Sequence, residues 1–393
     1  MRKIIIFCLL LLYGCASTTQ SRLDDVQKKF SNSNFETLDD SKIQEQTNLD
    51  LLINGDALFH ANKFKESDET FEEFNKRNLN ETSSSITRET TGLLFGQGVN
   101  SYKPYMMDSL FVSYYQIWNL LAMSDCENAR VVINQSYARQ QNMSKEYEKL
   151  IEENKNRVFE NEEIKEFLDK NNGDWLSFRE IMNPALMYLS GIYFLDSGDF
   201  DNAILYLKRA NGMMPENKYI KQDLENAQKR IKPKNTTWQF IETGFAPRLR
   251  EENAGLFLPN IGMVYFSFSS PYFNDNFTKP ENSELIADVD AMFMTEHGEY
   301  RTNEILRSFT SAASKATLQA TMYNSNSSSA PILGILSSIY TVSSSNTDVR
   351  TWATLPKHIY VLRDEKNETK KNNLIYTRII NGNITDNKTI KLK

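Results

Sequence analysis

Asp288, Asp290, Glu296, His297 and Glu299 form the most reactive-looking cluster of side chains in the chain. Carboxylates at this density can ligate a hard cation or supply the acid and base of glycoside hydrolysis. The second use needs two of them facing each other across about 5 to 9 Å. Asp288 and Asp290 stand two residues apart, so on a helix they look in different directions, and one histidine adds little to a metal set. A solvated or helix-capping role is the simpler expectation. Asp290 and Glu296 remain the pair for a glycan-binding or glycan-active alternative. A second cluster is Asp348, Arg350, Trp352 and Pro356. Arg350 beside Asp348 and Trp352 reads first as a braced turn, held by a charge-assisted bond and stacking. Arginine and tryptophan are also common binding anchors. His60 reads as a core or surface residue before a ligand, and Tyr114, Tyr115, Tyr188 and Tyr193 divide between the core and a groove of the repeats.

Cys15 carries a different chemistry. Arg2 and Lys3 precede the apolar run 4–12, and Leu12-Tyr13-Gly14-Cys15 follows. A basic start, a short apolar core and a small residue before the cleavage point describe a secretory signal, and the run is too short to span a bilayer. The tetrapeptide looks like the bacterial lipobox, although Tyr13 departs from its usual small or branched residue. Residues 1–14 are then a signal peptide, and the thiol of Cys15 is acylated at the mature N-terminus. Such processing removes Cys8 and leaves Cys126 as the one unmodified thiol, so no internal disulfide can form. Ala16 and Ser17 carry no aspartate retention signal, which resembles an outer-membrane address. Residues 15–48, rich in Ser, Thr, Asn, Gln and Asp, are expected to be a lipidated flexible tether.

Composition narrows the remaining classes. Across 393 residues there are 45 Lys plus Arg against 51 Asp plus Glu, a formal charge of −6 that gives no general reason to bind nucleic acid. Three cysteines and three histidines are too few for a metal cluster or a disulfide framework. The sequence contains no glycine-rich phosphate loop, GxSxG elbow, paired-histidine zinc helix or CxxC. No cofactor and no enzymatic activity are expected.

The elements that carry these residues come in two halves. Residues 187–215 follow the tetratricopeptide pattern through Gly191, Phe194, Gly198, Phe200, Ala203, Leu207, Ala210 and Pro215. Gly191 and Ala203 are small because two helices cross there, and Pro215 cannot continue the second helix. The same offsets recur upstream in Gly55, Leu58, Phe64, Ser67, Phe71 and Phe74, and more weakly around Ile117, Ala129 and Ile133. Insertions separate the copies, one of them an amphipathic helix over 137–170 that ends at Asn171-Asn172-Gly173. The composition changes after Pro233. Strands are expected at 238–243, 263–268, 358–363, 374–379 and 389–391, with loop between the first two. Helix is expected over 283–323, broken near His297-Gly298, and again over 331–342, with loop over 325–329. The expected fold is mainly α: tetratricopeptide-like repeats over 49–235, then a smaller α+β domain over 236–393.

With these residues in place the chain resembles a family of bacterial outer-membrane lipoproteins that join a tetratricopeptide region to a C-terminal α+β module. The likeness rests on 12–15, on NPALMYLSGIYFLDSGDFDNA (183–203), on GMMPEN (212–217), on ELIADVDAMFMTEH (284–297) and on DVRTWATLPKHIYV (348–361). It implies an envelope component without an assigned enzymatic activity, found among lipoproteins that regulate peptidoglycan synthases. The chain is therefore expected to be a periplasm-facing scaffold. Its partners would be other envelope proteins and the membrane that holds its anchor. Whether a small-molecule ligand binds stays open at this point.

Overall fold

The computed structural model describes residues 14–35, 46–81, 102–159, 165–168, 182–258, 262–274, 277–323, 347–365 and 371–392. A mainly helical N-terminal half precedes a mixed five-stranded sheet with one long helix. The helices are α1 Gly14–Ser31, α2 Asn48–His60, α3 Phe64–Glu81, α4 Met106–Ala122, α5 Cys126–Phe159, α6 Pro184–Ser197, α7 Phe200–Met213 and α8 Lys218–Gln228. Strands β1 Thr237–Thr243, β2 Arg248–Leu258, β3 Gly262–Tyr272 and β4 Glu284–Asp288 follow, then α9 Val289–Tyr323. The last three strands are β5 His358–Asp364, β6 Asn373–Ile380 and β7 Asn383–Lys391.

The helices pair as hairpins because small residues sit where they cross. A Cβ on Gly55 would lie 2.5 Å from the Phe71 ring, and one on Gly191 would lie 2.6 Å from Leu207. Ser67 stands at the place Ala203 holds in the later hairpin, and its hydroxyl donates to the Gly55 carbonyl at 2.7 Å. Local chemistry sets the ends. Thr47 and Asp50 close a capping box on α2, and Asn183 with Pro184 opens α6. Gly198, at φ +79°, ends α6, and Asp199 then caps α7. Ala129, Ala203 and Ala210 are fully buried. Pro215 sits in the turn before Asn217, which caps α8.

Every residue of α2 is buried, as is α4 from Met107 to Leu121. A helix buried all round must be covered on both sides, and its polar residues, such as Asp56 and Asn119, must find partners inside. One cover is the neighbouring hairpin helix, and the other is this chain's own sheet. The sheet has the order β4-β5-β1-β6-β7, with β1 antiparallel to β5 and parallel to β6. Phe59 meets Tyr376 edge-on at 4.9 Å, Trp118 meets Phe240 at 5.4 Å, and Tyr188 meets Phe240 at 5.8 Å. One apolar core thus runs without a break from Leu23 in α1 to Ile390 in β7, across the boundary at 235/236.

A second, smaller core lies to one side. The β2–β3 hairpin lays Val264, Phe266 and Phe268 on Ile305, Leu306 and Phe309 of α9, with Leu168 alongside. Three elements differ from expectation. Residues 14–31, expected within a polar tether, form α1. Leu23, Val26 and Phe30 make a buried stripe at helical spacing, enough to dock a helix whose other faces stay polar. Helix α9 begins after β4 and runs unbroken through His297-Gly298, because the Gly298 side faces open space and nothing forces a bend. Residues 248–258, expected as loop, form β2, and Gly255 is small there because Met263 and Tyr265 lie over it. The helix expected over 137–170 is the continuation of α5 as far as Phe159. Residues 331–342, the loop at 325–329 and the turn at 171–173 lie outside the described residues.

Candidate functional site

The carboxylates of α9 are drawn to different elements. Asp288 caps the helix by accepting from the Ala291 amide at 3.0 Å. Asp290 pairs with Lys357 in the loop before β5. Glu296 is fully buried and accepts from the Met106 and Met107 amides, the second at 2.9 Å, so it caps the first amides of α4, which have no partner within the helix. Asp290 and Glu296 are therefore not brought together. His297 lies beside Glu296, with its Nδ1 at 3.1 Å from the Tyr105 hydroxyl and its ring stacked on Phe293. Glu299 accepts from Asn154 of α5 at 3.0 Å, and Tyr147 of α5 donates to the Thr295 carbonyl at 2.8 Å. These contacts lock the two long helices side by side.

The loop at 348–357 is braced in the same manner. Arg350 grips Asp348 with two parallel bonds of 2.7 and 2.6 Å. Trp352 is buried against both Phe71 and Tyr115, which stack on each other, and its indole N–H donates to Thr354 at 2.8 Å. Pro356 is buried next to Lys357, whose amide joins the Thr243 carbonyl at the end of β1. Among the described residues no group of three or more His, Cys, Asp or Glu could hold a metal ion.

Sequence reasoning did not single out three buried charge networks at the seam between helices and sheet. In the first, Glu242 of β1 accepts from Arg378 at 2.9 Å, Tyr376 at 2.7 Å and Tyr115 at 3.0 Å, all three donors fully buried. In the second, His60 lies between Asp56 at 3.3 Å and Asp386 of β7 at 2.8 Å, and Lys388 joins Asp386. With His60 protonated these six charged groups sum to zero. In the third, Asp223 of α8 accepts from Arg363 at 2.9 Å, Tyr188 at 2.7 Å and the Trp238 indole at 2.7 Å. One signal was available: Glu242, Arg363 and Arg378 are single charges inside otherwise apolar strand-like runs, and such a charge needs a buried partner.

Burial sets the titration of this interior. It pushes Glu296 up to about 8 and both Glu304 and Asp108 up to about 7, each against hydrogen bonds that pull downward. It pulls His297 down to about 3, with Arg301 adding to the effect. Burial also lowers His60, but Asp56 and Asp386 reverse this and leave its pKa raised. Above the ordinary carboxylate range the unfolded chain has released protons that folded Glu296, Glu304 and Asp108 still hold. Their effect on stability is therefore a loss as pH rises toward 8. His60 has the same sign, since its contribution is complete below 6.5 and disappears as pH rises through its folded pKa. His297 has the opposite sign, confined to pH below 6.5. Unfolding free energy is expected to fall by roughly 2–3 kcal/mol between pH 6.5 and 8. Urea titrations at several pH values check this, and Glu296→Gln should flatten the slope. A stability that is level over this range would contradict the buried carboxyls.

Cys15 lies in the first turn of α1. Further along α1, Asp24 and Gln20 hold Arg248, and Gln20 donates to the Leu249 carbonyl. A cavity of about 390 Å³ opens there, lined by Gln20, Arg250, Glu251, Tyr272 and Val349. No helix among the described residues is long and apolar enough to cross a membrane. No protein-family model, curated protein or solved structure matches the chain.

Proposed function

We propose that this protein is a lipid-anchored scaffold of the bacterial envelope, held at the outer membrane through Cys15 and binding other envelope proteins, in cell-wall synthesis or a larger envelope machine. Its helical half is read as tetratricopeptide-like. The hairpins α2–α3 and α6–α7 use small and bulky apolar residues at identical offsets, with Gly55 over Phe71 and Gly191 over Leu207. The observation that carries the scaffold reading is how the polar groups are used. Glu296 and Asp290 brace one element against another, and Asp348 with Arg350 holds its own loop in shape, which makes a rigid body. The inner faces of α2, α4 and α6 are filled by the chain's own sheet, so a partner meets the outer helices. Val131 on α5 and Leu205 on α7 are exposed aliphatic residues there among those described.

The test uses photo-crosslinkers at Val131 and Leu205, in chains with and without Cys15→Ala. The wild-type chain is expected to carry acyl mass on Cys15, to sediment with membranes and to crosslink a defined envelope protein. Cys15→Ala should leave the fold intact while releasing the chain or leaving it as precursor. Crosslinking should then drop, because the anchor raises the local concentration of partners. A Cys15 without acyl mass would remove the anchor, and crosslinks to no protein at either position would remove the scaffold.

A further inference from the structure

Lys388 of β7 reaches across the seam to the turn that follows α2. Its Nζ pairs with the Asp386 carboxylate and lies 3.2 Å from Oδ1 of Asn62 and 3.3 Å from the His60 carbonyl. The rings of Phe59, Phe64 and Tyr376 stand around it, their centres 4.7, 5.8 and 5.8 Å away. The lysine side chain is only 6% exposed, whereas Asn62 is at the surface. The backbone holds Asn62 in place. Its φ is +60°, its own amide donates to the Phe59 carbonyl at 3.1 Å, and the Lys63 amide donates to the Leu58 carbonyl at 2.9 Å. Among the described residues no acceptor holds its Nδ2.

An amine, a primary carboxamide and a carboxylate able to carry protons are thus gathered at one point, with water kept from the amine. We propose that Lys388 and Asn62 join in an intramolecular isopeptide bond, with Asp386 moving the protons. Lys388 first gives one proton to Asp386. The lone pair freed on Nζ attacks Cγ of Asn62, and the C=O electron pair withdraws onto Oδ1. Asp386 then passes its proton to Nδ2 and takes another from Nζ. The Cγ–Nδ2 bond breaks, the carbonyl re-forms, and ammonia leaves on the exposed side of Asn62. Nothing is oxidised or reduced. Asp386 keeps the last proton, so Asp56, Glu242, His60 and Arg378 still sum to zero once the lysine has lost its charge. Burial favours the first step, since it lowers the Lys388 pKa although Asp386 pulls the other way. Proximity favours the second, because groups held together react as if at concentrations of about 10⁵ M or more. The Asn62 amide must turn about its Cβ–Cγ bond to offer Nζ the carbon instead of the oxygen, and its surface position leaves room for that. The product would tie α2 to the last strand across 326 positions of sequence, a span over which a cross-link restricts the unfolded chain strongly.

The full chain, purified, denatured and digested with trypsin, gives a direct reading by tandem mass spectrometry. A joined peptide of 43–63 and 379–391, uncut after Lys388 and about 17 Da lighter than the sum of its two parts, is expected. Asn62→Ala and Lys388→Arg should each abolish it. Asp386→Asn should slow its appearance after synthesis about a hundredfold, because the proton carrier is gone. Separate peptides from the wild-type chain, cut after Lys388 and with Asn62 intact, overturn the proposal, and that reading depends on no variant's folding. A joined peptide that persists in Lys388→Arg puts the link on another residue and overturns it equally. Linkage at an unchanged rate in Asp386→Asn overturns the part given to Asp386.

Discussion

Arg378→Ala is expected to lower unfolding free energy by about 3–5 kcal/mol, enough to threaten a fold of ordinary stability. The guanidinium is fully buried in β6, where it donates to Glu242 at 2.9 Å and to the Gly244 and Thr354 carbonyls at 2.7 and 3.0 Å. Without it Glu242 would remain a desolvated carboxylate supported by two tyrosine hydroxyls, and two loop carbonyls would lose their donor. The paired change Glu242→Leu with Arg378→Met should recover most of the loss, because neither a charge nor its unpaired counterpart is then left inside. Chemical denaturation of the single and double variants measures both numbers. A single variant within about 1 kcal/mol of wild type would show that this pair does not hold the seam.

Asp223→Ala is expected to cost a similar amount, about 3–5 kcal/mol, and to act on a different part of the molecule. Its carboxylate collects the Arg363 guanidinium, the Tyr188 hydroxyl and the Trp238 indole, so α8 is tied to α6, β1 and β5 through one side chain. Asn keeps an acceptor but loses the charge, so Asp223→Asn should fall between wild type and Ala. Amide exchange over 218–228 should speed up before the rest of the molecule opens, and Trp238 emission should shift with it. Uniform exchange across all helices in Asp223→Ala would argue against a local clamp.

Much of the architecture was legible because it rests on local rules. The hairpins at Gly55 and Gly191 follow from the need for a small residue at a close crossing. The strands at 238–243, 358–363 and 374–379 follow from alternation and branched side chains. Asn381-Gly382, both at positive φ, turns β6 into β7 as that dipeptide does in tight hairpins. Helix α1 was not legible, because Leu23, Val26 and Phe30 are a thin stripe in polar surroundings and only the docked partner makes them a face. Strand β2 was obscured by Gly255, which looks like a breaker until Tyr265 is seen lying across it. The polar seam was the least legible of all. His60 and Asp386 stand at opposite ends of the chain, and no local pattern announces that they meet.

The placement of β1 has a kinetic consequence. This strand pairs on one side with β5 and on the other with β6, so its two neighbours are made only after all the helices of the first half. The fully buried helices α2 and α4 have their second cover in that same late sheet. Closing such distant contacts is slow, since a long stretch of chain must be ordered before any of them forms. Until β7 arrives, the first two-thirds of the polypeptide carries uncovered leucine, phenylalanine and tryptophan, a state that aggregates readily. A chain with this topology is expected to aggregate unless its helices are shielded while it is being made. It also responds sharply to truncation, because removing the final strand takes away Asp386 and Lys388, to which His60 is bonded.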